Sequence, residues 1–208
     1  LPEPRALQIA QSKVGFGEIK IDVAKLQVRL GSEQRIGLGG MSRGFAVDEM
    51  ARVLQGAGVL AFLIKIGADY FASGSKPGGA PWSLEIRDPR LSKGSSFASL
   101  VVKDAALSTA GDYNHSFVIS DERYHDILDP YTGYPAKESR SVSIWAPTAL
   151  MADLLDDAVF VLGPQKGLAL VESLEGVGAV IVDAKNKVWV SRRIQDLVQI
   201  DRQPTDGI

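Results

Sequence analysis

Two stretches of helical periodicity interrupt a chain otherwise patterned for strands, and their placement restricts the fold more than any other feature. Phe45, Ala46, Met50, Val53 and Leu54 recur at helical spacing behind Ser42, a residue suited to an N-cap, and Gly56 and Gly58 close the run. Thr148 stands where a second N-cap belongs. The apolar positions after it continue to Leu162, Gly163-Pro164 stops them, and a shorter helix is expected over 165–174. Around these lie short extended runs. Residues 19–23 and 26–30 alternate apolar and polar and join through a turn at 22–25. Further strands are expected at 36–40, at 59–66 as a nearly continuous buried run, at 82–87, 100–102, 117–119 and 142–145, and as a closing hairpin of 177–183 and 187–191. Residues 67–81 read as turn chemistry, a short helical pattern holds Leu7, Ala10 and Val14, and the tail 201–208 reads as loose. Strands in groups, then a helix, then strands again and further helices argue for α+β rather than βαβ alternation. The order doubles coarsely, without a residue-level repeat. Nothing resembles a linker, so 1–208 reads as a single domain, as the usual span of ~100–200 residues allows.

Composition narrows the function. With 25 acidic and 23 basic side chains the net charge is −2, which leaves no cationic footprint for nucleic acid. No apolar run approaches the ~18 residues of a membrane span. The opening Leu-Pro-Glu-Pro-Arg has neither the cationic start nor the apolar core of a targeting segment, and without an initial methionine the sequence reads as a processed or excised piece. The absence of cysteine removes thiolate metal ligands, cysteine nucleophiles and disulfides, and leaves the compartment open. Two histidines, His115 and His125, argue against a multi-histidine zinc site, and on base rates each reads as structural.

Four segments could carry chemistry. Asp153, Asp156 and Asp157 share one helix face by their spacing, with no Lys or Arg between Thr148 and Pro164 to offset them. A hard cation such as Mg²⁺ would relieve that repulsion; a solvated acidic face opposite Leu154, Ala158 and Val161 is the other reading. The glycine-rich run from Ile36 to Gly44 leads into a helix N-terminus, where free N–H groups suit an anion, though the glycines also serve a tight turn. Ser108-Thr109-Ala110-Gly111-Asp112-Tyr113, following a strand, either cradles a phosphate or forms a turn. Residues 128–135, Leu-Asp-Pro-Tyr-Thr-Gly-Tyr-Pro, read as a surface loop.

Taken in order, these segments, with Ile66-Gly67-Ala68-Asp69, Gly78-Gly79-Ala80-Pro81-Trp82, Asp88-Pro89-Arg90, Ala146-Pro147-Thr148 and Val161-Leu162-Gly163-Pro164, resemble the FAD:protein FMN transferase family, the ApbE-type flavin transferases, over roughly residues 15–190. The resemblance implies a T-fold-like α+β architecture, two related halves of antiparallel sheet with helices packed on them. It implies FAD as substrate or bound ligand, Mg²⁺ at the pyrophosphate, and a flavin-accepting protein whose Thr or Ser takes FMN as AMP leaves; some relatives hydrolyse FAD to FMN and AMP. It implies Asp153 as a metal ligand, with Asp156 where some relatives also have aspartate. Asp157 stands at the family's metal-binding threonine. By the same resemblance the backbone carbonyl of Gly40 is expected to face the metal, and Leu128 to contact the flavin nucleotide. Thr109 lies in the Ser-Thr-Ala-Gly segment assigned to the cofactor. Arg43 replaces the family's lysine and is expected to face the nucleotide, and Gly37 replaces its aspartate. Asp126 stands where the family has histidine, with His125 one place off, so proton handling falls to Asp126 or His125. These departures frame an alternative: a catalytically impaired relative that binds FAD or docks a flavoprotein. The family's N-terminal part, which supplies some of the flavin pocket, is not in this sequence. By resemblance the protein belongs in the periplasm or at the cell surface.

Overall fold

A computed structural model describes residues 1–92 and 94–207. The chain runs α1 (Pro4–Gln11), β1 (Lys20–Asp22), β2 (Gln27–Arg29), α2 (Gly39–Gly56), β3 (Phe62–Ile66), β4 (Asp69–Ser73), β5 (Trp82–Arg87), β6 (Ser96–Val102), β7 (Ala105–Gly111), β8 (Ser116–Ile119), β9 (Glu122–His125), β10 (Ser139–Ala146), α3 (Ala149–Ser173), β11 (Gly178–Asp183), β12 (Val188–Val190) and β13 (Val198–Ile200). A six-stranded sheet has the order β12-β11-β10-β7-β4-β3, and a three-stranded sheet the order β13-β6-β5. Every strand pair in the two sheets is antiparallel. The class is α+β, as expected. Its doubling is visible about the central β7–β10 pair: α2 leads into the β3–β4 hairpin on one side, and α3 into β11–β12 on the other.

The six-stranded sheet is buried on both faces, which its central strands require because their side chains alternate. On β7, Ala106 and Ala110 face the core under α2 and α3, while Ala105 and Leu107 face the core shared with the three-stranded sheet. The same alternation turns Ser108 toward the helices and Thr109 away from them. Small residues along β7 let α3 lie close to the strand.

Several elements depart from the sequence pattern. Helix α2 begins at Gly39, with Leu38 as its N-cap and Ser42 inside it, and the strand expected at 36–40 does not form. Strand β3 is an edge strand and alternates, with Phe62 and Ile64 buried and Leu63 exposed. Within 67–81, read as turns, lies β4: Gly67-Ala68 is a two-residue hairpin loop, and Ile66 pairs with Asp69 across it. Ser108 to Gly111 belong to β7 itself rather than to a turn after it. Strand β9 had no sequence expectation.

Around α3 the expectations hold. Thr148 Oγ1 accepts the Met151 N–H at 3.2 Å. Gly163 sits at φ +73°, and a Cβ there would meet Glu138 Cβ at 2.7 Å, so the helix breaks at Gly163-Pro164 and resumes beyond.

The tail read as loose is tied down, although Ile208 lies outside the described residues. Pro204 is buried and its carbonyl accepts Asn186 Nδ2. Arg202 reaches the Ser96 carbonyl at 2.8 Å and Asp88 at 2.6 Å, and Thr205 donates to Asp88 through both its N–H and its hydroxyl. Burial pushes the Asp88 carboxyl upward, but the donors from Arg90, Thr205 and Arg202 outweigh it and hold the group below its ordinary 3.8. A depressed carboxyl stabilises the fold above its unfolded pKa and loses that contribution as pH falls through the folded value. Asp88→Ala is therefore expected to lower stability at pH 7 by about 1–3 kcal/mol. In urea titrations its difference from the parent protein should shrink as the pH is taken below about 4.

Candidate functional site

The site begins where α2 crosses α3. A Cβ on Gly44 would stand 2.4 Å from the Ala149 carbonyl oxygen and 2.8 Å from Asp153 Cβ, so only glycine lets the helices meet there. The contact is fixed by the Gly44 N–H, which donates to Asp153 Oδ2 at 2.8 Å. One turn along α2, Asp48 accepts the N–H groups of Ala149 and Leu150 at 2.7 and 2.9 Å, which caps α3 from its neighbour. With the helices locked in this register, Arg43 and Gly40 face the acidic side of α3.

Four carboxylates gather there. Asp69, at the start of β4, is fully buried; its Oδ2 lies 3.1 Å from Arg43 Nε, an ion pair that is off the N–H axis and makes no hydrogen bond. Arg43 also stands 3.9 Å from Asp153 Oδ1. Ser108 Oγ lies 2.7 Å from Asp69 Oδ1 and 2.6 Å from Asp156 Oδ2. A hydroxyl has one proton to give, so one of the two acids must supply another. Burial, joined by the charges of Asp157, Asp153 and Asp69, holds Asp156 well above the usual carboxylate range. Of the two acids, Asp156 is the one whose protonated form burial favours more strongly, and the Ser108 hydroxyl bridges it to Asp69. Burial also raises Asp69 and Asp157; for Asp157 the negative charges of Asp126 and Asp153 add to it, and Arg43 opposes.

This cluster forms one end of a cleft of about 830 Å³ that passes over the ends of β4 and β7 to the three-stranded sheet. Gly40, Arg43, Asp156 and Asp157 line the helix end, and Thr109, Tyr113, His115 and Asp126 the middle. Thr109 Oγ1 is 2.8 Å from Ser143 Oγ, so its hydroxyl is shared with β10. Arg87 lies over the Tyr113 ring, 4.3 Å from its centroid, and burial pushes the Tyr113 hydroxyl up to about 12, which keeps it neutral.

The structure thus brings together Gly40, Arg43, Thr109, Asp126, Asp156 and Asp157 in one cleft, with Asp153 one layer beneath. Three of the expected residues have partners that bear on their roles. Both oxygens of Asp156 are hydrogen-bonded, one with Ser108 and the other by the Asp157 N–H at 2.6 Å. His125 points into the core: Nε2 contacts the Ala136 carbonyl at 3.1 Å, Nδ1 accepts the Ile127 N–H at 3.3 Å, and the ring meets Phe160 edge-on. It has no nitrogen left for a substrate proton. Leu128 is half exposed and pairs with Pro135 outside the cleft.

Sequence reasoning gave Asp69 and His115 no role at the site and placed Ser108 only within a segment that cradles a phosphate or forms a turn. Asp69 was hidden in a stretch read as turns. A signal for Ser108 existed: a lone hydroxyl among alanines on a strand's buried face needs a partner. Among the described residues no three His, Cys, Asp or Glu side chains form a ready metal cage.

A profile of the ApbE family matches residues 1–181. The FAD:protein FMN transferase of Treponema pallidum (strain Nichols) is 32% identical over 96% of this chain, and that of Salmonella typhimurium is 28% identical over 97%. The chain spans 59% of the length of each. The crystal structure of the ApbE protein from Thermotoga maritima superposes with a TM-score of 0.86 at 29% identity, covering 95% of this chain and 64% of that one.

If the Gly44 contact sets the register of the two helices, Gly44→Ala should lower stability by about 1–3 kcal/mol, read as a shift in the urea midpoint.

Proposed function

The chain belongs to the ApbE family, and on that footing we propose that it is a Mg²⁺-dependent flavin transferase. It takes FAD, transfers FMN to a threonine or serine of a partner protein and releases AMP; with water as the acceptor the same step yields free FMN. The observation that carries this reading is the acidic end of the cleft, where glycine backbone and carboxylate adjoin. A Cβ on Gly40 would stand 3.3 Å from Asp157 Oδ2, so this side of the cleft is kept open next to a carboxylate. The donor atoms on offer are all oxygens, as a hard cation prefers, and Mg²⁺ commonly takes one or two carboxylates with water and substrate phosphate rather than a full protein cage. Asp157, Asp153 and the Gly40 carbonyl would hold it, and when bound it would draw charge from the two phosphates of FAD.

The protein's own groups do the rest. Arg43, pinned by Asp69, presents a fixed positive charge at the cleft where a diphosphate would lie. Asp156 and Ser108 hold Asp69 in place through hydrogen bonds. Thr109 and Tyr113 offer hydroxyls along the middle of the cleft. A second reading, FAD binding without turnover, is favoured by one observation: the family's histidine position is Asp126, and the adjacent His125 is buried. A periplasmic or cell-surface location belongs to the proposal through the family alone. Among the described residues no helix is long and apolar enough to cross a membrane.

Incubation with FAD, with and without Mg²⁺, and chromatography of the nucleotides tests the proposal. AMP and FMN are expected only with Mg²⁺. Asp157→Ala should slow release on the order of 100-fold, whereas Asp157→Thr, which restores the family's residue, should retain it. FAD that is bound yet stays intact in Mg²⁺ would favour the second reading, and FAD neither bound nor cleaved would remove both.

A further inference from the structure

The transfer proposed above needs a group that removes a proton from the attacking hydroxyl. Among the described residues a single imidazole lines the cleft, that of His115. The β8–β9 hairpin puts it there. Ser116 pairs with His125 across the ladder, so the next rung outward sets His115 opposite Asp126. Side chains alternate along a strand, so the step from residue 125 to residue 126 turns from core to cleft. This explains why His125 is buried and why Asp126 and His115 meet at the surface of the cleft. His115 Nδ1 lies 3.0 Å from Asp126 Oδ2. With Asp126 accepting the Nδ1 proton, Nε2 keeps its lone pair and is free to accept.

Resting on the transferase reading, we propose that His115 is the proton acceptor of the transfer and that Asp126 is the residue that positions it. In that step the acceptor hydroxyl oxygen forms a bond to the phosphorus on the FMN side. The bond from that phosphorus to the bridging oxygen breaks, and the bridging oxygen leaves with the electron pair as part of AMP. The hydroxyl proton passes to His115 Nε2, and the Asp126 carboxylate balances the imidazolium so formed. At the helix end of the cleft the other acids are committed elsewhere, Asp156 to Ser108, Asp69 to Arg43 and Ser108, and Asp157 to the proposed metal, while Glu85 lines the cleft from the three-stranded sheet. An imidazole, unlike an ordinary carboxylate, exchanges protons near neutral pH. The arrangement returns an imidazole to the cleft from the opposite strand, at the very place where the chain carries Asp126.

The experiment uses the whole chain with FAD and Mg²⁺, water or a short threonine-containing peptide as acceptor, and AMP release as the readout. His115 is 83% exposed, so its replacement spares the fold. His115→Ala is expected to lower kcat by about 10²–10⁴-fold with FAD binding, followed by flavin fluorescence, unchanged. Added imidazole should restore part of that rate, which no structural role would allow. Asp126→Asn should lower kcat without raising KM for FAD. Turnover by His115→Ala at the rate of the parent protein, or no response of a slowed variant to imidazole, would overturn the assignment and leave the transferase reading standing. No AMP from the unaltered protein with either acceptor would overturn both.

Discussion

The contact between Gly44 and Asp153 is the constraint on which the rest of the site depends. It brings two helices from distant parts of the chain to backbone contact, with the Gly44 N–H on a buried carboxylate. Asp48 on the same helix then caps α3, so the N-terminus of one helix is finished by a side chain of the other. Every group at the acidic end of the cleft is placed relative to this joint. Arg43 precedes Gly44, Gly40 lies one turn earlier, and Asp156 and Asp157 follow Asp153 along α3. A shift in the register of the helices would move all of them together.

Charge is the second organising element. Burying Asp69, Asp153 and Asp156 beside Asp157 with one arginine would be prohibitive if every acid were ionised. The structure limits the cost in two ways. Burial favours the protonated form of Asp156, which is joined through Ser108 to Asp69, and Asp69 and Asp153 each take a partner in Arg43 or the Gly44 N–H. Asp157 is left at the cleft with Arg43 nearby and Asp153 and Asp126 repelling it. In the proposed reading, a cation arriving with a diphosphate would relieve that excess.

Much of this was legible where local chemistry decides the outcome. Thr148 capped its helix, Gly163-Pro164 broke it, and strand Trp82–Arg87 ran as its alternation implied. Motif order points to Gly40, Arg43, Asp153 and Asp157, and the structure sets these residues around one end of the cleft. What could not be read depends on partners far away in sequence. Asp69 lies in a glycine-rich stretch that passes for a loop, and its burial follows from pairing with β7 through the rest of β4. His125 and Asp126 are neighbours in sequence but fall on opposite sides of a strand that had no expectation of its own. The tail lacks periodicity and is nonetheless held by Asp88, Asn186 and Arg140, none of which is near it in sequence.

On the proposed reading, the acidic end of the cleft and the nucleotide share a divalent cation. Calorimetric titration of Mg²⁺ into the protein, alone and saturated with FAD at a temperature where turnover is slow, tests it most directly. Linkage requires each ligand to strengthen the other by the same factor, and the account predicts tightening on the order of tenfold or more. Equal Mg²⁺ affinity in both titrations, together with FAD binding indifferent to a chelator, would contradict it.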